Sequence, residues 1–186
     1  MAQIQTPSTP RRSRRRLIIA AVLIAIVAGS ILGFLFYGPS NVQISIRDPP
    51  QTPYSSSIQG IYVTFSSIEV HTANAGNNSG WHNITSSATI NLLTVLNVSN
   101  VLGKASVPAG KYTELRFNVS QVIVTINGVN YPYTIPGGSL KVPILNGGFQ
   151  VYGAQTINVE LDLSFKDSEI LAMNGHLTPV ATAKVT

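Results

Sequence analysis

The chain of 186 residues contains no cysteine. That absence excludes disulfides, thiolate metal sites and attachment through a lipidated cysteine. Charge is scarce as well, at 10% of residues, and it is unevenly placed. Five of the twelve basic residues are Arg11, Arg12, Arg14, Arg15 and Arg16, and the other seven match the seven acids in number. The sequence pI of about 9.7 therefore belongs to the N-terminal run. Without it no basic patch remains to hold a phosphate backbone, and nucleic acid is not an expected partner. Catalytic signatures are missing too. There is no HExxH and no GxSxG, and the Gly-rich "IPGGSL" is followed neither by Lys-Ser/Thr nor by a helix pattern, so it is no phosphate loop.

The one long apolar run is Leu17 to Tyr37, LIIAAVLIAIVAGSILGFLFY, with no charge and a single hydroxyl, Ser30. A helix of that length spans about 30 Å, the hydrocarbon thickness of a bilayer. It is apolar on every side, unlike a helix covering a soluble core. Five arginines abut its N-terminal end, and the C-terminal side is neutral until Arg47. The positive-inside rule then puts residues 1–16 in the cytoplasm and residues 41–186 outside the cell membrane. A cleaved secretory signal is the rival reading, and "SRRRLI" resembles a twin-arginine export signal. The apolar region is longer than a signal needs and ends in bulky Phe34-Leu35-Phe36-Tyr37, so an uncleaved single-pass anchor over 17–37, with a short linker at 38–40, is the expectation.

Beyond the linker the periodicity is 2. "VQISIRD" alternates Val42, Ile44 and Ile46 with Gln43, Ser45 and Arg47. "GIYVTFSSIEVHT" carries Ile61, Val63 and Phe65 on one face and resumes out of step at Ile68 and Val70, the mark of a β-bulge at Ser66-Ser67. Asn127-Gly128 sits between two β-rich runs and predicts a two-residue hairpin turn. "SLKVPIL", "GGFQV", "QTINVELDLSF" and "HLTPVATAKVT" supply further strands. Eight or nine short strands without a convincing soluble helix predict an all-β domain, an antiparallel β-sandwich following one transmembrane helix.

The ordered segments "VTFSSIEVH", "GWHNI", "INLLTVLN", "LGKASVPAGKYTELRFNV", "YPYTIPGGSLKV" and "TINVELDLSF" resemble the extracytoplasmic domain-of-unknown-function family 4382, over residues 41 to 183. Its Pro-Ala-Gly-x-Tyr turn is similar to that of prealbumin-like (transthyretin-like) sandwiches. The resemblance implies such a fold and an envelope location. The family is found in bacterial lipoproteins and archaeal membrane or secreted proteins, and this chain resembles a membrane-anchored archaeal-type member. It implies no catalytic residues.

Chemistry-bearing residues are few. Glu69 and His71 share a strand face, and His82, beyond the "NAGNNSG" loop, is a weak candidate to join them as a metal ligand. A solvated polar face is the plainer expectation, so no metal and no cofactor is expected. Asp162, Asp167 and Glu169 could offer oxygens to calcium, although a charged strand end that discourages edge pairing explains them better. Trp81 could be a sugar-stacking platform, but a lone Trp in a "GWHNI" strand is the more ordinary mark of a core residue, and the core is the expectation. Asn77, Asn83, Asn97 and Asn118 head Asn-x-Ser/Thr sequons, about as many as the composition produces by chance. The expected protein is thus a non-enzymatic, membrane-anchored surface module, structural, adhesive or ligand-binding. Its expected partners are the membrane and a surface protein or glycan. Two alternatives are a sugar- or metal-binding accessory of an envelope enzyme or transporter, and a subunit of a surface filament or array. The uncharged Gln121–Ile135 hairpin is the candidate surface for self-association.

Overall fold

The computed structural model describes residues 11–48, 53–76 and 79–186. Helix α1 runs from Arg11 to Tyr37, so the arginine run enters the helix instead of stopping short of it at Leu17. Within it, Arg15–Leu35 is long and apolar enough to cross a membrane, and none of that stretch is buried. The expected linker at 38–40 is shorter than its boundaries, because β1 begins at Ser40 and ends at Arg47.

The strands that follow are β2 (Ile58–Thr72), β3 (Trp81–Thr85), β4 (Ala88–Asn91), β5 (Asn100–Val107), β6 (Gly110–Ile126), β7 (Val129–Tyr133), β8 (Ser139–Pro143), β9 (Phe149–Val151), β10 (Thr156–Ser164) and β11 (Val180–Val185). They form two sheets. One has the order β11-β10-β1-β5. In the other, β2 and β6 pair along their length. Strands β3 and β4 flank β2, and β7, β8 and β9 flank β6. Among the named strands, all pairings are antiparallel except β1 with β10. An Ile144–Ala183 bridge joins the two sheets at one corner.

Alternation in the sequence becomes two-sided burial. In β1, Val42, Ile44 and Ile46 are fully buried, while Gln43, Ser45 and Arg47 face out. In β2, Ile61, Val63 and Phe65 point inward, and Ile68 and Val70 do so again after a register shift against β6 around Phe65–Ser67. The bulge lets a 15-residue strand keep its apolar residues on one side. Phe65 and Phe117 meet at 5.5 Å between ring centroids in the centre of the core.

Two features depart from the sequence reading. Among the described residues the strands number eleven, and two of them, β2 and β6, are 15 and 17 residues long, each pairing with successive short partners. A short helix α2 spans Asp167–Leu171 where a charged strand end is expected. Asp167 and Glu169 lie in its first turn, where carboxylates complement the exposed N–H groups, and its Ile170 is buried in the core.

Candidate functional site

The outer face of the larger sheet carries the densest group of polar side chains. Register fixes its layout. Across β3, β2, β6 and β8, one row reads Trp81, His71, Glu114 and Pro143, and the next reads Asn83, Glu69, Arg116 and Lys141. Inward residues alternate with these, so each row lies on the solvent side. Arg116 donates from Nε to Glu69 Oε2 at 2.6 Å, and the same two residues form an ion pair. The Arg116 guanidinium carbon lies 4.1 Å from the Trp81 ring centroid, Lys141 Nζ lies 5.7 Å from it, and the His71 ring lies 4.5 Å from it. Arg116 is thus held by a carboxylate and an aromatic face together, an arrangement that stiffens a side chain otherwise free to move. Trp81 is half-buried on this outer face and not in the core. Its cross-strand partner is His71 rather than an inward residue.

The structure does not bring Glu69, His71 and His82 together. His82 is opposite Val70, an inward residue. It therefore turns to the other side of the sheet, with its ring 5.6 Å from that of Tyr112 and Nε2 3.2 Å from Thr72 Oγ1. A sequence offset across a loop carries no information about which face the return strand presents. His71 Nε2 lies 3.2 Å from the Gly76 carbonyl and 3.0 Å from the Ser79 carbonyl. Both are acceptors, so Nε2 carries the hydrogen and ties down the β2–β3 loop. Among the described residues no three His, Cys, Asp or Glu side chains are grouped to hold a metal.

The acids considered for calcium are also dispersed. Asp162 pairs with Lys184 at 3.6 Å, Asp167 accepts from the Ser55 amide at 3.1 Å, and Glu169 accepts from the Thr178 amide at 2.7 Å. Of the sequon asparagines, Asn83 and Asn97 are exposed. Asn118 is half-buried mid-sheet and donates to Ser67 Oγ at 2.6 Å, and Asn77 lies outside the described residues.

Two further groups have no signal in the sequence. Asp48, at the end of β1, turns inward and is 1% exposed. Tyr54 Oη donates to its Oδ2 at 2.9 Å and accepts from the Phe165 amide at 3.3 Å. Burial pushes the Asp48 carboxyl up to about 6, opposed by the Tyr54 hydrogen bond and reinforced by Asp162. Burial raises the Tyr54 hydroxyl as well. On the outer face of the smaller sheet, Glu160 accepts a hydrogen bond from Ser99 and pairs with Lys184 at 3.2 Å. The Ser99 bond is the largest influence lowering its pKa, with Lys184 and Arg47 adding to it against burial. Both groups depend on a distant partner, Phe165 for Tyr54 and Ser99 for Glu160, so only "D-P-P" after a strand marks either place, and that reads as a loop.

The fold defines a two-sheet β domain attached directly to an apolar N-terminal helix, with a polar-aromatic outer face. A family model described as a domain of unknown function, DUF4382, matches residues 39–176, most of this domain. The chain belongs to that family. No curated protein matches significantly, and neither does any solved structure.

Proposed function

We propose that the chain is a membrane-anchored, extracytoplasmic, non-enzymatic module that binds an uncharged saccharide on the outer face of its larger sheet. The observation that carries this reading is Trp81. It is the only tryptophan in the chain, it lies on a solvent-facing sheet surface, Arg116 and Lys141 lie over its ring, and register puts Glu69 and Asn83 in the next row with further donors and acceptors. Arg116 and Lys141 balance Glu69 and Glu114 in formal charge. A neutral patch that mixes donors, acceptors and an aromatic surface fits a polyhydroxyl ligand better than a polyanion. The extracytoplasmic placement is supported by the five arginines on the N-terminal side of α1.

Because Trp81 is the sole indole, its emission reports directly on the patch. Titrating the full chain in lipid nanodiscs with neutral and with uronate-bearing oligosaccharides should change Trp81 emission with the neutral set. Arg116→Ala should abolish the response. An emission unaffected by every oligosaccharide overturns the reading.

A second reading rests on β7. It closes one end of the larger sheet, and Val129–Tyr133 contains no charged residue to discourage pairing with another strand. Self-association of copies through this edge would suit a surface filament or array.

A further inference from the structure

The join between α1 and the sandwich has no slack. Gly38 N donates to the Phe34 carbonyl at 2.7 Å, and the Gly38 carbonyl accepts from Ala154 N at 3.2 Å. Ser40 Oγ donates to the Tyr152 carbonyl, and Asn41 N donates to the Gln155 carbonyl at 2.8 Å. Residues 38–41, directly after the helix, are therefore hydrogen-bonded to the β9–β10 loop. Gly38 is required by this close approach: an added Cβ would collide with the Phe34 carbonyl and come within 3.2 Å of Ala154 Cβ. Register places the β5–β6 turn at the same end of the domain, since Val107 pairs with Ser40 and Gly110 pairs with Val151.

The surface around this join has an unusual composition. The β9–β10 loop exposes Tyr152 to 62%, and Pro39, Pro108 and Ala109 are exposed beside it. Lys111 is the only charged residue on segments 38–41, 106–112 and 149–157, and none of the seven acids is on them. One aromatic with a polar tip, small apolar residues, a lysine and no carboxylate is the composition of a protein surface at the membrane–water interface.

We propose that the β9–β10 loop and the β5–β6 turn rest in the headgroup layer of the bilayer that α1 crosses, with Tyr152 as the interfacial anchor. Helix and loop then hold the sandwich in one orientation instead of letting it swing on a tether. Strand β6 leads away from this contact for about 50 Å of extended chain, so the β6–β7 hairpin is the end presented to the surroundings. The proposal rests on α1 spanning the bilayer and holds for either orientation of the chain.

The lack of cysteine allows a direct test. Single variants Tyr152→Cys, Ala109→Cys, Val129→Cys and Ser30→Cys of the full chain are labelled with an environment-sensitive fluorophore and reconstituted into phosphatidylcholine vesicles. Nitroxide-bearing lipids serve as quenchers, at headgroup level or deep in the acyl chains. The expected result is loss of emission at 152 and 109 with the headgroup nitroxide, none at 129, and loss at 30 with the deep nitroxide. Positions 152 and 109 behaving like 129 while 30 is quenched overturns the proposal and leaves the anchor standing. No quenching at 30 overturns the anchor itself and the proposal with it.

Discussion

Asp48 sits at the end of β1 with its carboxyl turned into the protein, and its neighbours decide its titration. Asp162 opposes its ionisation, while the Tyr54 hydroxyl favours it without offsetting the loss of water. A carboxyl whose folded pKa lies above its unfolded value contributes most stability when protonated, and loses it as pH rises through the folded pKa. For Asp48 that loss falls between the ordinary value of 3.8 and about 6. Glu160 has the opposite sign: its lowered pKa stabilises the fold above the ordinary carboxylate value, and the benefit disappears as pH falls through the lowered value. Denaturant unfolding between pH 4.5 and 7 should therefore show stability falling as pH rises. Asp48→Asn, whose amide oxygen can still accept from Tyr54, should flatten that slope and add about 1–3 kcal/mol at pH 7. A variant with the wild-type slope would remove Asp48 as its source. In the sequence Asp48 is one of seven ordinary acids. Its burial depends on β10 and the residue 53–57 segment closing over it, which no local pattern reports. Trp81 is the converse case: its bulk suggests the core, and the pairing of β3 with β2 puts it outside.

The β6–β7 hairpin is the element most fully determined by its own residues. Asn127 and Gly128 have φ of 48° and 81°, and Ile126 pairs with Val129 across them, as a two-residue primed turn requires. The turn is also tied to β2, because Gly128 N donates to Gln59 Oε1 at 2.8 Å. Gly128→Val places a β-branched residue at a positive φ and should cost about 1–3 kcal/mol, read as a lower denaturation midpoint at unchanged slope. The pairing of the long strands and the position of helix α2 are less legible in the sequence. The pattern shows the continuous runs that become β2 and β6, but not that each pairs with a succession of short partners, because pairing depends on segments elsewhere in the chain. Helix α2 is only five residues long, too short for a 3.6-residue period to stand out from alternation. It forms where Ile170 can be buried.

Over the whole molecule, helix α1 and the β6–β7 hairpin lie at opposite ends of the domain. If copies associate through β7, a charge on that edge should weaken association without unfolding the domain, since natural edges are protected in this way. Val129 is 52% exposed, so Val129→Lys leaves the core intact. Sedimentation of the full chain in detergent should show the wild type associating as concentration rises and the variant remaining monomeric. A wild type that stays monomeric throughout ends the filament reading. The proposed orientation is tested separately. Protease added to intact cells should digest the sandwich and spare an N-terminal fragment held in the membrane, whereas a protected sandwich would place it inside.

Composition and period alone established that a long apolar helix precedes a β domain, which residues alternate inward in β1 and β2, where the bulge falls, and where the chain reverses at Asn127-Gly128. These are local consequences of side-chain size, polarity and permitted φ, repeated every second residue. Tertiary structure decided what depends on contacts between distant segments. It separated His82 from Glu69 and His71, because strand pairing rather than loop length sets the face. It brought Arg116 and Lys141 to Trp81, buried Asp48 against Tyr54, and fastened Gly38 to Ala154. Apart from Asp48 and Tyr54, which are six positions apart, these contacts join residues tens of positions apart, and their chemistry arises only when the sheets have closed and the water between them has gone.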